Sequence, residues 1–350
     1  MRLMLVHYLF EDRGSAQDIH HFARTARELG HEVALYGPAN PKSPFNYSLD
    51  MTSADAVVFV FEWTTDLQFG DRLDLLRLVS RVPRRRRVVI DCDGKYNGAI
   101  DVVGDYNHAD TEASRRWVEV CDSLTDKIYQ PTLHPLRPNV RTHFFHAYHP
   151  GWETPLDFRA KEYDLFYVGN NWFRWRAIQQ VLKAVEPIRA RIGRIGMVGH
   201  GWDSSPPWAN STISADAYYS DPQYLKKLSI EVSPPVHFKE VIAHMSRGII
   251  HPVVYRPLFN HLQLVTCRTF ETFAANTIPL FGVEEGYVQE FYGERAVELV
   301  LPVERPEEKI LDMLRRPNYY AAIVRDIRRH LVEKHSYAVR LQELIDIVES

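Results

Sequence analysis

The chain has 350 residues, of which 45% are hydrophobic and 25% are charged, a balance typical of a globular protein large enough for two domains. Its formal net charge of −3 argues against general binding to nucleic acids or to an anionic membrane surface. Three cysteines without C-x-x-C spacing, Cys92, Cys121 and Cys267, argue against a disulfide framework and a zinc site and indicate a reducing compartment.

The N-terminal residues lack the apolar run of a secretory signal, and no segment has the roughly 20 apolar residues that a membrane-spanning helix needs. The sequence therefore predicts a cytoplasmic protein without a transmembrane segment. The one basic run, Arg84 to Arg87, stands between a proline and an apolar strand. We interpret it as a solvated loop, with a phosphate or partner contact as the alternative.

Apolar strands alternate with helices through the first half of the chain. RLMLVHY, HEVALYG, ADAVVFVFEW and RRVVIDCDG read as strands, and the first two are separated by a segment with helical spacing of its apolar residues. Apolar strands that are separated by helices predict a parallel sheet with both faces covered.

The pattern restarts near residue 160. YDLFYVGNN, RIGMVGHGW, IIHPVV and IPLFG read as strands, whereas the stretch from Trp202 to Pro235 is predicted to be a long loop with one helical turn. HPGWETPLDFRAKEYD is the predicted linker. We therefore predict an α/β protein with two Rossmann-like, doubly wound domains facing across a cleft, over residues 1–155 and 156–335, followed by an amphipathic helix over residues 336–350.

In such sheets, ligands bind beyond the carboxyl ends of the strands, so functional residues are expected in the loops that follow strands. The loop after the first strand, HYLFEDRGSAQD, has a single glycine in place of a G-x-G-x-x-G motif, and the chain has no P-loop lysine motif. Both observations disfavour NAD and ATP sites of the familiar kinds.

The stretch HLQLVTCRTFETFAANTIPLFG places a carboxylate near the start of a predicted helix. Unpaired backbone N–H groups and the positive end of the helix dipole suit a diphosphate there, to which Thr266 and Thr269 add hydroxyls and Arg268 adds charge. Glu271 is placed to accept hydrogen bonds from two ribose hydroxyls. The alternative is that Glu271 only complements the helix dipole, and the spacing alone does not choose between the two.

The segment RTFETFAANTIPLF resembles the donor-site signature of GT-B glycosyltransferases, T-F-E-A-x-A-C-G-x-x-P-L. Together with YVGNNWFRWR, MVGHGWD, VVYRPLFN and HSYAVRLQELIDIV, it is similar to the spore-maturation CgeB-like glycosyltransferase group over most of residues 163–350. The first half resembles GT-B enzymes only through GSAQDIHHFARTARELGHEVALYGP. The resemblance implies a GT-B fold, with the sugar nucleotide on the second domain, the acceptor on the first, and a terminal helix that packs back towards the first.

Two positions depart from the family pattern. Retaining GT-B families often carry an E-x7-E pair, but Gln263 stands at the earlier position, so the stereochemistry of transfer is left open. Ala275 and Asn276 replace the usual Cys-Gly, and Asn tolerates the left-handed conformation that Gly supplies.

Other donor-side candidates follow strands of the second half. An arginine in such a loop would neutralise the charge of a departing diphosphate, whereas the structural alternative is a surface arginine at a helix start. Glycines allow close approach of the backbone to a base or sugar. The candidates are Gly169, Arg174, Arg176, His200, Gly201 and Arg256.

On the acceptor side, a carboxylate or histidine after a strand is a candidate base for an acceptor hydroxyl. Asp93 is favoured, followed by Glu62 and His7. The alternative for each is a structural role, since acids at strand ends often cap neighbouring helices.

The sequence therefore predicts a metal-independent glycosyltransferase that uses a nucleotide sugar as co-substrate, needs no cofactor and acts on a small or macromolecular acceptor. Asp91 and Asp93 resemble an Asp-x-Asp metal motif but lie in the half opposite the diphosphate site. The alternatives are a GT-B sugar-nucleotide epimerase or phosphorylase and a non-catalytic nucleotide-sugar-binding protein. The sequence does not specify the sugar, the base, the acceptor or the oligomeric state.

Overall fold

The computed structural model describes residues 1–7, 15–38, 45–61, 80–105, 111–204 and 219–350. Seven strands lie in its first half: β1 (Arg2–His7), β2 (Glu32–Tyr36), β3 (Tyr47–Ser48), β4 (Ala56–Phe61), β5 (Arg87–Asp91), β6 (Ile128–Gln130) and β7 (Val140–Thr142). Five follow in the second: β8 (Tyr163–Val168), β9 (Ile195–Val198), β10 (Ile230–Ser233), β11 (Gly248–Val253) and β12 (Ile278–Phe281).

These strands form two sheets, in the orders β3-β2-β1-β4-β5-β6-β7 and β10-β9-β8-β11-β12. All the pairings between the described strands are parallel. The described helices are α1 (Ser15–Glu28), α2 (Thr111–Leu124), α3 (Trp175–Val185), α4 (Pro222–Lys227), α5 (Val241–Met245), α6 (Pro257–His261), α7 (Cys267–Ala274), α8 (Glu285–Tyr292), α9 (Pro306–Arg315), α10 (Pro317–His335) and α11 (Tyr337–Glu349). Within the described ranges, no helix is both long enough and apolar enough to cross a membrane.

The first sheet is buried on both faces, as its apolar strands predict. Every residue of β4 and β5 is buried. Successive residues of a strand point to opposite faces, so Leu3 and Leu5 join the core that includes Phe22 of α1, whereas Met4 joins a separate core with Trp117 of α2. Two layers of helices on one parallel sheet is the doubly wound arrangement.

The last helix belongs to the core of the first sheet. Tyr337, Leu341 and Leu344 of α11 pack with Leu3 and Phe22, whereas α10 contributes to the core of the second sheet. The chain therefore crosses between the two halves near residue 336. The residue boundaries of the predicted domains stay a prediction.

The stretch from Trp202 to Pro235 is more structured than predicted. Its described part contains α4 and the strand β10, which pairs with β9 at the edge of the second sheet. The sequence IEVS gave no strand signal because an edge strand is only partly buried and needs no continuous apolar run. The prediction of a loop was therefore wrong for Ile230–Ser233, whereas α4 agrees with the predicted helical turn.

Candidate functional site

The carboxyl ends of β8, β9 and β11 meet at one edge of the second sheet because these strands are parallel neighbours. Their following loops, residues 169–174, 199–202 and 254–256, lie at this edge, and α7 begins beside them. This edge is where doubly wound sheets bind ligands.

The loops after β8 and β9 are held together by a close backbone approach and by hydrogen bonds from side chains to backbone carbonyls. Gly199 has a φ of 142°, and a Cβ atom there would lie 2.2 Å from the carbonyl oxygen of Gly169, so no other residue fits without a shift. Trp202 Nε1 donates to the same oxygen at 2.8 Å, and Asn171 Nδ2 donates to the Gly201 carbonyl at 2.8 Å. Three predicted donor residues lie in this platform: Gly169, His200 and Gly201.

Three arginines of the second half lie near one another at this edge. Burial lowers the pKa of Arg174, and the charges of Arg256 and Arg268 lower it further. Arg174 Nη1 donates to the Asn170 carbonyl at 3.2 Å, which fixes the side chain at the start of α3. A concentration of positive charge, buried at Arg256 and half-buried at Arg174 and Arg268, suits an anionic ligand at the end of a parallel sheet. Arg176, by contrast, is exposed.

Arg256 has a role that the sequence did not suggest. Its Nε and Nη2 donate to Asp105 at 2.8 and 3.1 Å, and the Leu258 N–H donates to the same carboxylate at 3.1 Å. Both charged side chains are buried, and the guanidinium also packs on the rings of Phe173 and Phe259. Because Asp105 belongs to the first half, Arg256 joins the two halves, and much of its hydrogen-bonding capacity is used there.

The start of α7 is organised by its own threonines. The helix begins at Cys267, with Thr266 as its N-cap residue. The Thr266 N–H donates to Thr269 Oγ1 at 3.3 Å, and the same hydroxyl lies 2.8 Å from the Tyr255 hydroxyl. Thr269 is buried, so its hydroxyl supports the helix start where the sequence had predicted a diphosphate donor.

Glu271 is buried in α7 with unused hydrogen-bonding capacity. Its Oε1 accepts from Gln17 Nε2 at 3.2 Å, which places it against α1 of the first half. Its Oε2 lies 3.2 Å from Arg268 Nη1, yet neither atom has a hydrogen bond to any described residue. Buried polar atoms of this kind are costly unless something binds them. Their position between the two halves therefore points to a polar ligand.

His251 lies in β11, fully buried behind the arginines. Its Nε2 accepts from the Val168 N–H at 3.3 Å, and its ring stacks on Tyr167 at a centroid distance of 5.7 Å. Burial lowers the pKa of His251 to about 3, and the charge of Arg268 acts in the same direction. The ring is therefore neutral at pH 7.

We expect His251 to make the protein less stable in acid. Between its folded pKa of about 3 and its ordinary value of 6.5, the unfolded chain binds a proton that the folded chain does not. Stability should fall as pH falls below 6.5, by up to about 1.4 kcal/mol per pH unit from this residue. Urea unfolding at several pH values should show a smaller decrease for His251→Gln. His261→Gln, at an exposed position, should keep the wild-type decrease, and equal decreases for both variants would contradict the prediction.

The predicted base Asp93 lies in the loop after β5 and is partly buried. Asp91, at the end of the strand, organises this loop: it accepts from the Lys95 N–H at 2.9 Å, the Tyr96 N–H at 2.7 Å and Gln130 Nε2 at 2.8 Å. Burial raises the pKa of Asp91. Because the Asp91 carboxylate already accepts three hydrogen bonds that hold the loop, it is not arranged as a partner for Asp93 in a metal motif.

Lys95 is a charged residue that sequence reasoning missed. It is only 4% exposed, and burial lowers its pKa, while the charge of Asp93 opposes that effect. The charges of Arg256 and Asp105 also act on the pKa of the Lys95 ammonium group. The Asp93 loop therefore faces the Arg256–Asp105 ion pair that joins the two halves. Across the described ranges, no cluster of three or more His, Cys, Asp or Glu side chains is arranged to hold a metal ion.

The other two predicted bases have less structural support. His7 ends β1, with its ring stacked at 6.3 Å from that of Phe145. Glu62 lies outside the described residues. Of the three predicted acceptor-side residues, Asp93 thus has the best-defined charged surroundings.

Residues 174–346 match the protein-family model Glyco_trans_1_2, described as glycosyl transferase-like. No curated protein matches the chain significantly. Among solved structures, an alpha-glucosyltransferase in complex with UDP-glucose and DNA containing an abasic site superposes with a TM-score of 0.62 at 12% identity, over 100% of this chain and 99% of the other. T4 phage BGT in complex with its UDP-glucose substrate gives 0.61 at 13% identity over 100% of both chains.

T4 phage BGT in complex with UDP and Mn2+ also matches, with a TM-score of 0.60 at 11% identity over 100% of both chains. These similarities confirm the predicted α/β fold of the GT-B type, with its two parallel sheets. They do not confirm the finer prediction that the chain belongs to a CgeB-like subgroup.

Proposed function

We propose that the chain, which carries a glycosyltransferase-family domain over residues 174–346, transfers a sugar from a nucleotide-sugar donor to an acceptor hydroxyl. The observation that carries this proposal is the buried Oε2 of Glu271, which lies beside Arg268 at a helix start without a hydrogen bond from any described residue. Nucleotide sugars present both the hydroxyls and the diphosphate that such a site can bind. We propose the CgeB-like subgroup and a cytoplasmic location on the sequence alone.

In the proposed complex, Glu271 accepts hydrogen bonds from ribose hydroxyls, and the diphosphate lies at the start of α7 near Arg268 and Arg174. Glu271 belongs to the second half and contacts the first half through its hydrogen bond with Gln17. Both guanidinium groups are half-buried; that of Arg174 is held by the Asn170 carbonyl and that of Arg268 lies against Glu271, so both are positioned to stabilise the charge that grows on the leaving diphosphate.

The transfer breaks the bond between the anomeric carbon and the diphosphate oxygen and forms a bond from that carbon to the acceptor oxygen. The acceptor proton passes to a base, for which we propose Asp93, with Glu62 and His7 as the alternatives. Asp93 lies near enough to the Lys95 ammonium group for its charge to raise the pKa of Lys95, against the larger effect of burial. Asp93 lies on the first half, opposite the proposed donor site.

Replacing Glu271 by glutamine tests the donor site. The loss of two charge-assisted hydrogen bonds to ribose should weaken nucleotide binding by about 2–3 kcal/mol. Calorimetric titration with UDP, GDP, TDP and ADP should reveal a preferred nucleotide and its loss in the variant. Glu284→Gln, at an exposed carboxylate that directly precedes α8, is the control. Unchanged affinity in a folded Glu271→Gln protein would leave only the role of complementing the helix dipole.

We also propose that the reaction needs no metal, because arginines and a helix start occupy the place of a cation. Turnover should then survive treatment with EDTA. One structural neighbour was solved with Mn2+, which makes this comparison worth measuring. Loss of turnover with EDTA and its recovery with Mg²⁺ or Mn²⁺ would contradict metal independence and would require a new assignment for Asp93.

Two other functions remain alternatives. A sugar-nucleotide epimerase or phosphorylase of the same fold would convert the donor without an acceptor hydroxyl. A non-catalytic binding protein would hold the nucleotide sugar unchanged. Several alpha-glucosyltransferase structures among the neighbours contain DNA, so DNA is an acceptor to test, although the net charge of −3 gives general nucleic-acid binding no support.

A further inference from the structure

A groove lies beside α1, in the first half of the chain. Its volume is about 500 Å³, within the range of small-molecule sites. It is lined by His20, His21, Arg24, Arg27, Glu28 and Phe45.

The face of α1 connects this groove to the donor site. Gln17, His20 and Arg24 follow one another at helical spacing, and Gln17 donates to Glu271. A rise of about 1.5 Å per residue places Arg24 about 10 Å and Arg27 about 15 Å along the helix from Gln17. The groove therefore begins beside the proposed donor site and runs outward from it.

Two exposed arginines and the exposed carboxylate of Glu28 supply the charges of the groove. Arg24 and Arg27 are exposed, and neither forms an ion pair with a described residue. Burial lowers the pKa of His20 and His21, the latter to about 3, so both rings are neutral at pH 7. Lys239 of the second half lowers the pKa of His20 further, which places a third cation near the mouth of the groove.

The walls of the groove include rings as well as charges. The Phe45 and His20 rings lie 4.2 Å apart between their centroids. Flat rings provide a surface for a sugar or a base, whereas two guanidinium groups match a phosphate monoester, which carries a charge of about −1.5 to −2 at pH 7.

We propose that this groove binds the acceptor substrate and that the acceptor is a small phosphate ester of a ring compound, a sugar phosphate or a nucleoside phosphate. The inference rests on the proposed function, since it takes Glu271 to mark the donor site. Arg24 and Arg27 bind the phosphate, and the ring lies along Phe45 and His20 with a hydroxyl towards the cleft. The acceptor is thereby selected by charge at a distance from the reacting oxygen.

Calorimetry with two probes tests the groove. Glucose 6-phosphate and thymidine 3′-monophosphate are titrated in the presence of saturating UDP, with glucose and inorganic phosphate as comparisons. The double variant R24Q/R27Q should weaken binding of the preferred ester about tenfold or more. The matched control R85Q/R86Q removes two exposed charges at the amino end of β5 and should leave it unchanged. The ester that binds more tightly shows whether the ligand of the groove is a sugar phosphate or a nucleoside phosphate.

A second readout tests the acceptor role. The bound ester should accelerate UDP release from UDP-glucose, with a raised KM in R24Q/R27Q. The inference is overturned if no ester binds, if both double variants lose affinity equally, if inorganic phosphate binds as tightly as the esters, or if a bound ester leaves UDP release unchanged. Titration of the wild type with UDP, GDP, TDP and ADP separates the two proposals: if none of the four nucleotides binds, the proposed function is contradicted, whatever the groove binds.

Discussion

Asp93→Asn is expected to lower kcat by about 10²-fold or more while nucleotide affinity stays unchanged. The amide keeps the size of the carboxylate but cannot take the acceptor proton. Nucleotide binding should persist because the proposed donor site is built by β8, β9, β11 and α7 of the second half. Asp91 should still hold the loop, since its three hydrogen bonds do not involve the Asp93 side chain.

Steady-state kinetics with saturating donor measure this effect. Asp101→Asn, an exposed carboxylate further along the same loop, is the matched control and should retain wild-type kcat. Normal turnover in Asp93→Asn would exclude Asp93 as the base and move the assignment to Glu62. A raised KM for the acceptor with normal kcat would make Asp93 an acceptor anchor instead.

Asp105→Asn is expected to destabilise the protein by about 3–5 kcal/mol, the usual cost of leaving one partner of a buried ion pair uncompensated. Asp105 and Arg256 are 1% and 7% exposed, so solvent cannot replace the lost partner. The pair also joins the two halves, beside the contact in which Thr132 Oγ1 donates to the Leu262 carbonyl at 2.6 Å. The variant should therefore weaken the contact between the halves as well.

The midpoint of urea unfolding checks this prediction. Asp126→Asn is the control: it removes an ion pair with Arg84 in which the Asp126 side chain is 84% exposed. This change should lower the free energy of unfolding by less than about 1 kcal/mol. If Asp105→Asn lowers the urea midpoint no more than the control does, the Asp105–Arg256 ion pair does not stabilise the contact between the two halves. If the halves unfold separately, the variant should show its effect as a broadened or divided transition.

The fold was predictable because its information lies in continuous segments. β4 is apolar and buried throughout, and β5 is buried throughout with the apolar centre Val88–Ile90, so their sequences indicate central parallel strands without any knowledge of neighbours. β10 was not predictable in this way because a partly buried edge strand carries a weaker pattern.

The candidate site was only partly predictable, for a related reason. Glu271 and Arg268 stand in one helix start, so their spacing was visible in the sequence. Asp105 lies 151 positions before Arg256, and Gln17 lies 254 positions before Glu271, so only the fold brings these partners together. No local pattern distinguishes such residues from ordinary loop and surface positions.

The burial of polar groups is what the structure adds. Thr269 looked like a donor to phosphate, but its hydroxyl is engaged with the Thr266 N–H and the Tyr255 hydroxyl. Arg256 looked like a free cation, but it is paired with Asp105. Composition and spacing predict which residue types stand near a strand end, whereas the fold determines which of them are still available to a ligand.

The proposed reaction is the transfer of a sugar from a nucleotide to a second molecule. Incubation of the protein with isotopically labelled UDP-glucose and an acceptor mixture that contains sugar and nucleoside phosphates, followed by mass spectrometry, tests it most directly. We expect free UDP and the labelled sugar on an acceptor, with both reduced in Glu271→Gln and Asp93→Asn. If calorimetry selects another nucleotide, its sugar conjugate takes the place of UDP-glucose. Label that stays on the nucleotide, unchanged or as an epimer, would contradict the account.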